Sequence, residues 1–231
     1  MQLPETEPGK HRLTRRSTLA RAGGLTAVAL APSGLHATAA GASEASALAC
    51  MLSPELTEGP YFIEHAKVRR DITEGLPGAP LALRLRVLDA ATCKPIEGAA
   101  VDIWHASAGG RYSAAASGAA GRTYLRGIQR TDARGLARFD TIYPGWYPGR
   151  AVHIHVKVHV GGNALHTGQL FFRDAFTARV YKRAPYRARG GPDVPNAADS
   201  IYAAGGSRSL LSMRTAGRGY AGAISMGVRR A

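Results

Sequence analysis

The chain has 231 residues and a formal charge of +14, long enough for one sizeable core and basic enough to draw anionic partners. Its basic residues are scattered and no aromatic-rich basic module gathers them, which argues against nucleic-acid binding. No internal apolar run reaches the ~20 residues of a membrane-spanning helix, so stable membrane insertion is not expected either.

Taken in chain order, residues 1–39 read as an address. Thr14-Arg15-Arg16-Ser17-Thr18-Leu19 precedes a weakly apolar run over 25–31, and Ala37-Thr38-Ala39 fits a small-residue cleavage site. The segment resembles a twin-arginine export signal, which implies a periplasmic, cell-surface or secreted product. It carries Lys10, Arg12, Arg15, Arg16 and Arg21 against Glu5 and Glu7, a net of +3, so its removal leaves +11. Residues 40–56 are expected to be a linker, and 57–231 a single domain. The two cysteines, Cys50 and Cys93, are either one disulfide or two unrelated thiols; export favours the disulfide.

With 28 glycines and 13 prolines, the domain should be built of short strands and turns. Gly59-Pro60, Pro77-Gly78, Gly109-Gly110, Pro144-Gly145, Pro148-Gly149 and Gly161-Gly162 punctuate it. Residues 81–87 alternate Leu or Val with Ala or Arg and predict a half-buried strand. Further strands are predicted at 100–104, 136–139, 152–160, 169–172 and 220–228, with a helical turn at 176–182. Residues 186–199 and 203–209 are expected to be surface loops. The set predicts an all-β fold, an antiparallel β-sandwich with long loops and little helix.

The strand at 152–160 carries the chemistry. Side chains alternate faces along a strand, so Ile154, Val156, Val158 and Val160 form an apolar face while His153, His155, Lys157 and His159 share the other. The roots of His153 and His155 lie about 7 Å apart, close enough for both rings to meet one metal ion; alone, such a pair is more often a solvated polar face. A rigid loop, Pro144-Gly145-Trp146-Tyr147-Pro148-Gly149-Arg150, leads into this strand, and a second aromatic region, Trp104-His105 with Gly109-Gly110-Arg111-Tyr112, lies upstream. Tyrosine binds metal only as phenolate, against an intrinsic pKa of about 10, so a tyrosine ligand calls for a hard, strongly acidic ion such as iron(III). Zinc more usually recruits Cys, carboxylate or a third His.

Here the residues carry a resemblance. Val101-Asp102-Ile103-Trp104-His105, Gly110-Arg111-Tyr112, the run from Asp140 through Tyr147-Pro148-Gly149-Arg150, His153-Ile154-His155, Gln169-Leu170-Phe171-Phe172 and Asn196-Ala197-Ala198-Asp199-Ser200-Ile201-Tyr202 resemble the intradiol ring-cleavage dioxygenases, a family that includes catechol and protocatechuate dioxygenases. The resemblance implies a non-haem Fe(III) site held by Tyr112, Tyr147, His153 and His155, acting on a catechol-type small molecule and O2 to give a muconate-type diacid. It implies Tyr112 and His153 as equatorial ligands, His155 as an axial one, and Tyr147 as the axial ligand that leaves and takes a substrate proton. Arg150 would stabilise developing negative charge, and Arg150, Gln169 and Tyr61 would contact substrate. A ferric ion, two tyrosinates and a hydroxide sum to zero charge; a catechol dianion replacing Tyr147 and hydroxide leaves that sum unchanged.

Two departures bear on substrate: no helical stretch precedes the sandwich, where catechol dioxygenases carry a dimerisation segment, and Gly149 stands where protocatechuate enzymes tend to be bulky. Exposed sandwich edges leave a homodimer open. His105 and His159 stand outside the expected ligand set, His159 lying roughly 20 Å along the strand from His153. Tyr124 and Tyr143 are expected in the core or at its rim. Two rival readings remain on the sequence: an exported prealbumin-like sandwich that binds without catalysis, suggested by Thr92-Cys93-Lys94-Pro95-Ile96-Glu97-Gly98, and a secreted copper or zinc protein using the same histidines.

Overall fold

The computed structural model describes residues 50–64, 66–113 and 121–230; the export signal expected over 1–39, and most of the linker expected after it, lie outside them. Eight strands form two four-stranded sheets. In chain order they are β1 (Pro80–Asp89), β2 (Ala100–Trp104), β3 (Arg126–Arg130), β4 (Leu136–Ile142), β5 (His153–Val160), β6 (Asn163–Phe171), β7 (Ser212–Ala216) and β8 (Gly219–Val228). One sheet runs β4-β1-β8-β7 and the other β3-β2-β5-β6. All pairings are antiparallel except β1 with β8, which is parallel. Two short helices, α1 (Asp174–Val180) and α2 (Ser200–Ala203), lie between β6 and β7.

The alternation seen in the sequence sets the packing. Leu81, Leu83, Leu85 and Val87 of β1 are all buried, and the alternating Ala82, Arg84 and Arg86 are exposed. They meet Val101 and Ile103 of β2 and Ile154, Val156 and Val158 of β5 in one core. Each such side chain contributes on the order of 1.5–3 kcal/mol on burial. A one-residue slip of β5 would turn this apolar set outward and the histidines into the core, so the register is strongly specified.

Two strands escape the sequence reading. In β3, Arg126-Gly127-Ile128-Gln129-Arg130 offers one apolar side chain and no alternation; in β7, Ser212-Met213-Arg214-Thr215-Ala216 is equally bare. The loops expected at 186–199 and 203–209 are corrected in part. Tyr186 is fully buried, donates to the Tyr143 carbonyl at 2.7 Å and accepts from the Ala79 amide at 3.0 Å. Asp199 is also buried and caps α2. Polar, Pro- and Gly-rich text conceals these anchors because each is a single side chain without periodicity.

The end of the expected linker is tied down. Cys50 and Cys93 form a disulfide across a separation of 43 residues, a closure worth about 4 kcal/mol in the chain-entropy account. Ser53 donates its amide to the Gly227 carbonyl at 2.8 Å, and Leu56 to that of Thr167 at 2.9 Å. Residues 50–62 thus form a strap running from the end of β8 onto the outer face of the second sheet. That face carries His153 and His155.

Candidate active site

The outer face of β5 would leave its histidines in water were nothing laid over it. Three segments cover it: the strap, the loop after β2 that carries Tyr112, and the loop before β5 that carries Tyr147. Beneath this cover His153 and His155 are 3% and 2% exposed. Trp104 lies directly opposite His155 in the β2–β5 register, and the two rings stack 4.9 Å apart and nearly parallel. From the strap, Gly59 closes over His155. Its φ is +72°, and a Cβ there would stand 3.3 Å from the His155 Cε1, so glycine serves both the backbone and the space.

The ring nitrogens converge. His153 donates Nδ1–H to the Ala151 carbonyl at 2.7 Å, which leaves its Nε2 a bare acceptor. That Nε2 lies 3.1 Å from the His155 Nε2 and 3.1 Å from the Tyr147 hydroxyl. The Tyr112 ring stands edge-on to Tyr147 at 5.6 Å and to His155 at 6.0 Å. The four side chains singled out in the sequence are therefore brought to one point, from β5 and the two covering loops. Among the described residues no three His, Cys, Asp or Glu side chains gather for a metal elsewhere; a set of four exists here only with the tyrosines.

Electrostatics favour the neutral forms of all four groups when no cation is present. Burial, with Arg150 nearby, pulls His153 down to about 3. Burial, then His153 and Arg150, hold His155 well below its usual value. Burial raises Tyr112 well above the usual phenol range, and Tyr147 adds to the rise. Tyr147 is raised by burial too, with Arg150 opposing. Unprotonated imidazoles are ready to ligate, while the phenols await a cation strong enough to displace their protons.

Arg150 is fixed on the same side. Its Nε donates to the Asp199 Oδ2 at 2.9 Å and its Nη2 to the Gln169 Oε1 at 2.5 Å. Asp199 also accepts from the amides of Ala151, Ile201 and Tyr202 at 2.8, 2.7 and 3.0 Å. Burial works to raise this carboxyl, but those amides and Arg150 outweigh it and hold it below the usual carboxylate range.

A family model described as a dioxygenase matches residues 57–181, more than half the chain. A solved intradiol ring-cleavage dioxygenase from Tetranychus urticae is 34% identical, with 78% of this chain and 95% of that one covered at a TM-score of 0.74. This chain belongs to the intradiol ring-cleavage dioxygenases. The dioxygenase domain of a dioxygenase–carbohydrate-binding fusion from Streptomyces sp. SirexAA-E is 32% identical, covering 78% of this chain and 99% of that one, at a TM-score of 0.61. A 3-chlorocatechol 1,2-dioxygenase from Rhodococcus opacus 1CP shares the fold at 21% identity, with 80% and 75% covered and a TM-score of 0.57. No curated protein matches.

In this dioxygenase Tyr61 stacks on Tyr112 at 4.4 Å and meets Tyr147 edge-on at 6.5 Å. Gln169, expected as a substrate contact, is fully buried and spends its amide within the protein, donating Nε2–H to the Thr57 carbonyl at 2.9 Å and accepting from Arg150. It reaches the site through Arg150. His105 donates Nδ1–H to the Ala106 carbonyl and accepts from the Thr141 hydroxyl at 2.8 Å, with burial pulling it down to about 4. His159 sits at the far end of β5, beyond a register shift. Tyr124 and Tyr143 join the main core.

Arg126 escapes the sequence reading entirely. It is 4% exposed, donates to the Tyr61 carbonyl at 2.5 Å and to the Ser113 carbonyl and hydroxyl, and lies 5.9 Å over the Tyr112 ring. It joins the strap to the Tyr112 loop. Nothing in its local sequence marks it; only its position at the start of a strand too polar to predict could have drawn notice.

Proposed function

We propose that this chain is an exported non-haem iron(III) dioxygenase that opens a catechol-type ring between its two hydroxyl-bearing carbons, placing both atoms of O2 in a muconate-type diacid. The observation that carries the reading is the meeting of two phenols and two neutral imidazoles, with both His Nε2 atoms 3.1 Å apart. Two neutral imidazole nitrogens this close in a buried pocket suit a shared cation once the proton between them is given up. Two phenol oxygens added to them suit a hard trivalent ion over zinc. Tyr112, Tyr147, His153 and His155 would hold the iron. When bound, it supplies the Lewis acidity that deprotonates phenols and catechol and opens the ring to O2.

The chain's own residues divide the remaining work. Tyr112 is buried and clamped by Tyr61, so it suits a ligand that stays. Tyr147 rides on the loop 144–150 and is half-buried, so it suits a ligand that yields its place and takes a substrate proton at its hydroxyl. Arg150, held in place by Asp199 and Gln169, keeps a positive charge beside the pocket and stabilises negative charge as it develops on the substrate. The covering strap and loops limit water.

The purified protein should carry about one iron per chain and be red-brown from tyrosinate-to-iron charge transfer. It should consume O2 with catechols and yield products cut between the hydroxyls. Tyr147→Phe should keep the iron and shift the visible band. An iron-loaded protein without colour, or products cut outside the two hydroxyls, would sink the reading.

Export rests on the N-terminal Arg15-Arg16 pair and is supported by the Cys50–Cys93 disulfide, a bond that persists in oxidising compartments. Cell fractionation should find the wild type outside the cytoplasm, and Arg15→Lys/Arg16→Lys retained within it. Equal distribution of the two would refute the twin-arginine route.

A further inference from the structure

The sheet that does not carry the site has an outer face of unusual charge. Reading across β4-β1-β8-β7 by register, one row is Arg138, Arg84, Ala223 and Ser212. The row on one side is Leu136, Arg86 and Ser225; the row on the other is Asp140, Ala82, Ala221 and Arg214. Arg84 and Arg138 are thus directly opposite, an arrangement that costs stability unless something negative intervenes.

The carboxylates nearby neutralise Arg138 but not Arg84. Asp132 pairs with Arg138 at 3.1 Å and Arg134 at 3.8 Å, and Asp140 with Arg70 at 2.8 Å. Arg84, Arg86 and Arg214 are exposed and make no ion pair among the described residues. Arg84 and Arg86 flank a shallow trough of about 380 Å³ along β8, whose lining includes Ser212, Ala223 and Ser225, and Arg214 stands on β7 in the row of Ala82 and Ala221. Three unpaired guanidiniums on one sheet make this face positive, on the far side of the sandwich from the catalytic pocket.

We propose that this face docks the enzyme onto a carboxylate-bearing polysaccharide. A guanidinium matches a planar carboxylate with two parallel hydrogen bonds. An extended polymer can follow the trough and meet successive arginines, since Arg84 and Arg86 are about 7 Å apart along β1. Ser212 and Ser225 offer hydroxyls to sugar hydroxyls. Of the outward residues in these rows none is aromatic, so single-stranded nucleic acid finds no stacking platform. Only Leu136, at the rim, is a large apolar side chain, so a bilayer finds no anchor.

The test is binding of the full mature enzyme to polygalacturonate, measured by affinity electrophoresis or calorimetry across a salt series. The wild type should bind, with affinity falling as salt rises. Arg84→Ala/Arg86→Ala/Arg214→Ala should bind at least tenfold more weakly. Lys182→Ala/Arg183→Ala/Arg187→Ala removes the same charge elsewhere and should stay within twofold. Circular dichroism of both triples checks that each is folded. Absence of binding, salt-insensitive binding, or equal losses in the two triples would overturn the proposal. So would equal affinity of the wild type for duplex DNA or phosphatidylglycerol vesicles with the same dependence on the three arginines. None of these outcomes bears on ring cleavage, which is read separately by O2 consumption.

Discussion

His155→Ala is expected to strip the metal from the protein and abolish ring cleavage. Loss of a group that merely orients a ligand costs about 10–100-fold in metal affinity; removing one of four donors should exceed about 100-fold. The neighbours make recovery harder. Burial holds the phenols of Tyr112 and Tyr147 protonated in the absence of a cation, so a weaker site ionises them less readily and weakens further. The gap left between Trp104 and Gly59 supplies no donor. Metal analysis should show iron falling from about one per chain to a small fraction, with the visible band lost alongside it. A variant that kept a full equivalent of iron and its colour would remove His155 from the ligand set.

Arg150→Met should have two separable effects. The first is catalytic: loss of a fixed charge aimed at the reacting region costs on the order of 10²–10³ in kcat. The second is structural. Asp199, whose side chain is fully buried, would lose the one cation it pairs with among the described residues, and breaking such a pair from one side typically costs about 3–5 kcal/mol. The three amides that also serve Asp199 should keep the loss towards the lower end. Adding Asp199→Asn removes the stranded charge but leaves one oxygen to accept the amides, so the double variant should recover part of the melting temperature while turnover stays low. Recovery of turnover together with stability would show that Arg150 only braces the loop.

The legible and the hidden parts of this molecule differ in physical kind. β1 and β5 can be read from the sequence because one face of each is packed on the core, and burial writes itself as alternation. His153 and His155 follow from the same period, two residues apart on the face opposite Ile154 and Val156. Tyr112 and Tyr147 carry no period; they are legible through their spacing from the histidines and the family resemblance. β3 and β7 are held mainly by backbone pairing to their neighbours, which leaves no mark on side-chain choice. The buried roles of Arg126 and Asp199 are hidden for a different reason. A charged residue is read as exposed, and the partners that make burial tolerable here are backbone groups far away in sequence: the Tyr61 carbonyl for one, the Ala151 amide for the other. The strap is hidden in part: the sequence favours the Cys50–Cys93 disulfide, but the carbonyls of β6 and β8 that hold the rest of it leave no mark on its side chains.

The site draws on Gly59 and Tyr61 near one end of the domain, Tyr112 and the 147–155 stretch in its middle, and Asp199 towards the other end. No short contiguous fragment contains it. The residue that anchors Arg150 is synthesised after both histidines, so the pocket can be completed only when most of the domain has been made, and a split version of this enzyme would be silent until its halves were reunited.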